Sequence, residues 1–322
     1  MSRRLALGLA GVVAALAILA TYGLSMQRAP EPALPGELLS GSLEHGGRTR
    51  SWHAYLPAHR VPHPALVFVL HGSEGDWAQA RGGYAYDFDV LAEEAGFLPI
   101  YPDGFEGHWN DCRKAAPYAA NTLDVDDVGF LRALADRTAS EYDADRTRVF
   151  ATGISNGGQM ALRLALEAPD FVRAVAPVVA SLPAGGNLDY KQAGRPVSTL
   201  IMNGTSDPMN PWAGGDVALY GWIGNRGAVL STEDSIDYFR DIGGHLGPPS
   251  VTVLPDLAPD DGSTVEVRRW SAPGKREVAL YVIRNGGHNA PHPRLRVPRL
   301  LGPTNQDISA AREIWRFFAD AP

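Results

Sequence analysis

The stretch RVFATGISNGGQMALRLALE, residues 148–167, decides the architecture. Its first five residues form a short apolar run with β-branched and aromatic character, suited to a strand buried on both faces. From Asn156 onward Met160, Ala161, Leu164 and Ala165 repeat at helical spacing, and Pro169 follows just beyond. Between the two lies Gly153-Ile154-Ser155-Asn156-Gly157. A strand that turns at once into a helix thrusts the central side chain out above the sheet. Its neighbours two before and two after must then be nearly free of side chain. The pattern Gly-x-Ser-x-Gly is weak alone; the strand and helix directly on either side give it weight.

Outward from this turn, further short apolar runs read as strands at 65–70, 97–101, 175–180, 199–202 and 278–283. Residues 38–43 and 49–56 flank His45-Gly46-Gly47 and read as an antiparallel hairpin. Helical periodicity marks 88–95, 125–142, 156–167, 231–242 and 308–319. Alternating strands and helices specify an α/β fold: a mostly parallel central sheet with helices on both faces and the antiparallel hairpin at its start. Residues 207–230 and 254–263 read as loops over one edge.

A serine hydroxyl needs a base to become a nucleophile, and the base needs an acid to orient it. On a sheet of this kind the three follow in the order Ser, acid, His. Asp207 stands just past the strand 199–202, on the carboxyl edge where sites of open α/β sheets collect. Asp216 lies further into the loop and Asp189 precedes the strand, so both are poorer candidates. Three histidines follow the acid: His245, His288 and His292. His288 leaves the strand 278–283 on a glycine-supported loop, which is the placement a base requires. His245 sits in a Gly-rich turn. His292 pairs with His288 at metal-ligand spacing only on a helix, which Pro291 and Pro293 forbid. The oxyanion of an acyl transfer needs two N–H donors. Asn156 supplies one from the helix start, and Ser73, in the loop Leu70-His71-Gly72-Ser73, supplies the other. His71 reads as a brace beneath that loop.

Trp109 and Trp212 each read as an apolar wall for a substrate or as a packing lid. Asp124, Asp126 and Asp127 resemble a metal cluster but fit better as the acidic first turn of the helix 125–142. No metal and no organic cofactor is called for.

Six motifs recur in a shared order: His71-Gly72-Ser73; Tyr101-Pro102-Asp103-Gly104 with Trp109-Asn110-Asp111-Cys112-Arg113; Val125-Asp126-Asp127-Val128-Gly129-Phe130; Gly153 to Gly158; Asn203 to Pro208; and Gly286-Gly287-His288. The chain resembles the polyhydroxybutyrate-depolymerase-type serine esterases, with feruloyl and acetylxylan esterases among them. The resemblance implies an α/β-hydrolase fold and, at Ser155, Asp207 and His288, the family's nucleophile, acid and base. Many members carry a cysteine where this chain has Ser73, and secreted members often have disulfides. Ester substrates, small or polymeric, are implied: hydroxybutyrate-type oligomers, other short-chain or aromatic esters, or esters of plant polysaccharides. A serine peptidase of the same fold and an exported binding protein on a hydrolase scaffold are the rival readings.

Composition bounds the rest. The 322 residues carry a net charge of −7 and are 45% hydrophobic, which fits a globular chain and argues against nucleic acid as a partner. The single cysteine, Cys112, cannot form an internal disulfide, excludes zinc sites built on several cysteines, and is left free in a loop close to the site. Arg3 and Arg4 precede an apolar stretch over 5–20, so residues 1–26 read as a signal peptide or N-terminal membrane anchor facing the chain outward. Residues 27–36 hold three prolines and read as a linker, and 37–322 as one catalytic domain. A membrane enters only through that anchor, and oligomeric state is left open.

Overall fold

The computed structural model describes residues 23–322; the apolar stretch over 5–20 lies outside them. Ten strands form one sheet in the order β1-β2-β4-β3-β5-β6-β7-β12-β11-β10. These are β1 (Glu37–His45), β2 (Arg48–Leu56), β3 (Leu66–Leu70), β4 (Leu98–Pro102), β5 (Val149–Ile154), β6 (Ala174–Val178), β7 (Ser198–Gly204), β10 (Ser250–Val253), β11 (Thr264–Trp270) and β12 (Val278–Arg284). The six strands from β4 to β12 run parallel, and two antiparallel strands flank them at each end. A small ribbon, β8 (Gly215–Asp216) with β9 (Ala228–Val229), stands apart.

Side chains alternate across the parallel block. In β3, Leu66, Phe68 and Leu70 join one core and Val67 and Val69 the other. The first core is covered by α4 (Asp127–Tyr142), α5 (Asn156–Glu167) and α6 (Thr232–Ile242). The second is covered by α1 (Trp77–Gly83), α2 (Asp87–Ala95) and α7 (Ala310–Ala319). A short helical turn, α3 (Ala119–Thr122), completes the set. Both faces are therefore dry, which is why the parallel strands read as unbroken apolar runs.

Two departures from the sequence reading are instructive. The far end of the sheet holds β10 and β11, which no strand was expected to occupy. Glu266, Arg268 and Arg284 form a ladder of ion pairs there, so these strands lack the continuous apolar signature. The three aspartates at the start of α4 also divide their work: Asp127 is its first residue, as read, whereas Asp126 caps it and Asp124 lies outside the helix. Asp126 is the N-cap and accepts from the Gly129 amide at 2.8 Å. Asp127 is fully buried, paired with Arg50 at 2.7 Å and accepting from the Asn110 amide at 2.7 Å. Asp124 accepts from the Asn110 side chain at 3.1 Å.

The Pro-rich residues 27–36 lie against the body. Gln27 exchanges backbone hydrogen bonds with Arg296, Ala29 packs with Ala85 and Leu295, and Glu31 is ion-paired with Arg81. Among the described residues no helix is long and apolar enough to cross a membrane.

Candidate active site

The strand β5 ends at Ile154, and Ser155 follows with φ 57° and ψ −115°. This is a costly conformation for a residue with a Cβ, and it is held from both sides. The Ser155 amide donates to the Val178 carbonyl at 2.9 Å, and its carbonyl accepts from the Gln159 amide at 2.8 Å. A Cβ on Gly153 would stand 2.5 Å from the Gly157 carbonyl carbon, and one on Gly157 would stand 2.3 Å from the Leu70 carbonyl oxygen. Both glycines are thus demanded by close backbone approach.

Asp207 follows β7 and His288 follows β12, neighbouring parallel strands whose carboxyl ends share an edge with that of β5. The two loops are joined: the Ser206 amide donates to the Gly286 carbonyl at 3.0 Å. His288 Nδ1 meets Asp207 Oδ2 at 2.7 Å, with both residues buried. Asp207 Oδ1 accepts from the amides of Met209 and Asn210 at 2.8 and 2.9 Å, so the carboxylate is held at both oxygens. A carboxylate only accepts, hence Nδ1 carries the hydrogen and Nε2 of the neutral ring carries the lone pair. That Nε2 is buried and has no hydrogen-bond partner in the structure.

The loop after β3 closes over Ser155. A Cβ on Gly72 would lie 3.8 Å from the Ser155 Cβ. His71 beneath it is engaged at both ring nitrogens: Nδ1–H donates to the Gly72 carbonyl at 2.7 Å and Nε2 accepts from the Gly104 amide at 2.8 Å. Burial holds this imidazole below its ordinary range, in keeping with a neutral ring. Ser73 Oγ lies 2.9 Å from Tyr118 Oη.

Trp109 is fully buried, so it lies under the site and presents no wall to a substrate. Its indole N–H donates to the His71 carbonyl at 3.0 Å and its amide donates to Asn156 Oδ1 at 2.8 Å. Trp212 is half-buried against the first core, with its carbonyl accepting from the Thr232 amide. Cys112 is buried beside α5, its thiol 3.5 Å from the Gln159 carbonyl. Asp216 is exposed on the β8–β9 ribbon. His245 binds the Arg276 carbonyl and His292 binds Asp87, so neither meets Asp207. The sequence reading did not single out Asp111, Arg113 or Tyr118 individually. The first two form a buried pair, 2.5 Å apart, that also receives the Asn156 amide nitrogen at 2.6 Å. Their signal in the sequence is the run Trp109 to Arg113.

A mostly parallel sheet of this topology with helices on both faces has α/β-hydrolase architecture, and comparison with known proteins supplies the family. The chain is 30% identical over 275 residues to the protein named "Putative esterase NocK" of Nocardia uniformis subsp. tsuyamanensis, covering 82% of this chain and 78% of that one. It is 28% identical over 249 residues to the poly(3-hydroxybutyrate) depolymerase of Ralstonia pickettii. That match covers 73% of this chain and 49% of the depolymerase, so the chain matches about half the length of that enzyme. Against "Probable feruloyl esterase C" of Aspergillus niger it is 27% identical over 219 residues, covering 61% and 74%. Among solved structures, an acetyl xylan esterase from Aspergillus awamori shares the fold with a TM-score of 0.51 at 16% identity, covering 92% of this chain and 99% of that one. No family model matches the chain. The chain belongs to the serine esterase family of the polyhydroxybutyrate depolymerase and feruloyl esterase type, and it is a carboxylic ester hydrolase.

Proposed function

We propose that Ser155, His288 and Asp207 are the nucleophile, base and acid of this esterase, and that the amides of Ser73 and Asn156 bind the oxyanion. The observation that carries the reading is the buried 2.7 Å bond from His288 Nδ1 to Asp207, which leaves the Nε2 lone pair available on the edge Ser155 occupies. Ser155 Oγ attacks the ester carbonyl carbon while its proton passes to His288 Nε2. The carbonyl oxygen becomes an oxyanion held by the two amides. Collapse breaks the bond to the leaving oxygen, which takes the proton from His288. Water, giving its proton to the same nitrogen, then cleaves the acyl-enzyme and frees the acid and Ser155. Hydrogen bonds of such sites often close only with substrate bound, which accommodates the unpaired Nε2.

The ester substrates of this reading are short: hydroxybutyrate-type oligomers or related short-chain and aromatic esters, with feruloyl or acetyl esters of plant polysaccharides as the alternative. The N-terminal residues 1–26 are proposed to export the chain, by a cleaved signal or a retained anchor, with 37–322 as the catalytic unit. A fluorophosphonate probe and a p-nitrophenyl butyrate assay test the chemistry. Wild type should label and turn over; Ser155→Ala should do neither while unfolding cooperatively. Turnover retained by Ser155→Ala refutes the assignment. Comparing kcat/KM across hydroxybutyrate dimers, methyl ferulate and acetylated xylo-oligosaccharides ranks the substrates.

A further inference from the structure

One side chain from each of two loops, 104–121 and 207–230, meets the other beside Ser73. Arg226 Nε donates to Tyr118 Oη at 2.5 Å, and Tyr118 Oη lies 2.9 Å from Ser73 Oγ. Arg226 Nη1 donates to the Gly224 carbonyl at 2.5 Å, which fixes the guanidinium plane. The phenol ring beneath is stacked on His108, with ring centres 4.1 Å apart. Arg226 itself is anchored through its backbone: the carbonyls of Arg226 and Ala228 accept from the Asn187 side chain. The arginine is therefore rigidly placed, two hydrogen bonds from the residue next to Gly72, which borders Ser155.

Among the described residues its charge, by contrast, meets no carboxylate, only the Tyr118 ring, whose centre lies 5.8 Å from the guanidinium carbon. A guanidinium has five N–H donors. Two are engaged here, and no ion pair among the described residues includes Arg226. The neighbouring Arg113 is neutralised by Asp111 in full burial, so it offers nothing to a ligand. In a chain of net charge −7, this half-buried arginine has no carboxylate partner among the described residues and is linked through Tyr118 to Ser73. Its remaining donors form the fork that binds a carboxylate in two parallel hydrogen bonds.

We propose that Arg226 is the specificity-determining residue of this site and binds a carboxylate borne by the ester substrate, a few bonds from the scissile carbonyl. The substrate class is then an ester that keeps one free acid: either a monoester of a dicarboxylic acid, with the charge on the acyl side, or an ester between hydroxy acids, with the charge on the alcohol side. Tyr118 is the positioning residue that holds the fork toward the cleft. This inference rests on the proposed Ser155 chemistry and adds the substrate's charge to it.

The test is a ratio of kcat/KM values for matched acid and neutral esters. One arm compares p-nitrophenyl hydrogen succinate with its methyl ester; the other compares the hydroxybutyrate dimer as free acid and as methyl ester. Wild type should prefer the acid in one arm, which tells the acyl side from the alcohol side. In Arg226→Gln that ratio should fall by about 10- to 100-fold, the worth of a charge-assisted hydrogen-bonded pair, with the loss in KM. Arg226→Lys should retain part of the preference. No acid preference in wild type in either arm, or an equal ratio in wild type and Arg226→Gln, overturns the proposal; the wild-type arms decide even where a variant fails to fold. Hydrolysis that survives Ser155→Ala instead refutes the proposed nucleophile, so the two failures are separable.

Discussion

The side-chain amide of Asn156 donates to Asp111 Oδ2 across 2.6 Å, and both residues are sealed from solvent. The same carboxylate receives Arg113 Nη2 at 2.5 Å, while Asn156 Oδ1 takes the Trp109 amide. The first residue of the helix behind Ser155 is thereby locked to the loop that supports His71. Removing Asp111 would strand the Arg113 charge in a dry interior, and a buried pair broken on one side costs about 3–5 kcal/mol. Asp111→Ala should therefore lower the urea unfolding free energy by that amount and reduce kcat as well. A variant with wild-type stability would show that the network is not what holds this helix start.

Strain at Ser155 gives a second expectation, with an inverted sign. A φ of 57° with a ψ of −115° suits glycine and penalises a Cβ. At ordinary positions glycine is the less stable choice relative to alanine. Here Ser155→Gly should be more stable than Ser155→Ala by about 1 kcal/mol, with both devoid of turnover. Paired thermal melts measure the difference, and an alanine variant equal to or more stable than glycine contradicts the strain.

Cys112 is the chain's one cysteine, and burial pushes its thiol far above the ordinary range, with the Asp111 charge adding to the effect. The thiolate is the reactive species, so a thiol held protonated behind α5 should be inert. Iodoacetamide should leave native protein unmodified at neutral pH and label it stoichiometrically in denaturant. Rapid labelling of the native state would place the thiol in a site open to solvent.

Legibility followed the range of the forces involved. The β5–α5 junction could be read from sequence because its constraint is local: Gly153 and Gly157 face each other across one turn. The parallel strands were equally clear, since burial on two faces leaves an unbroken apolar run. The outer strands β10 and β11 were not, because Glu266 and Arg268 interrupt the pattern and β10 is exposed throughout. Asp127 looked like a helix-start charge, and its partner Arg50 lies 77 positions away. Trp109 shows the same limit: an indole that walls a pocket and one that braces its floor are identical in sequence. Tyr118 and Arg226 stand 108 positions apart, and only the fold makes them neighbours.

The last expectation concerns acid. Asp87 opens α2 and receives hydrogen bonds from Ser309 at 2.6 Å and from His292 at 3.1 Å, with Arg294 at 3.2 Å. Burial pushes its carboxyl up, but the hydrogen bonds from His292 and Ser309 and the nearby positive charge outweigh that, leaving it below the ordinary carboxylate range. A carboxyl depressed by folding binds fewer protons in the native state than in the unfolded one. Its contribution is then complete above the ordinary carboxylate range and is lost as the pH falls through the depressed value. Because Asp87 ties α2 to the segment before α7, that loss loosens the C-terminal helix from the second core. In Asp87→Asn, stability at neutral pH should drop, and the gap from wild type should shrink as unfolding is followed into acid. A gap that stays constant from neutral to acid pH would mean that the Asp87 charge contributes nothing to holding these segments together.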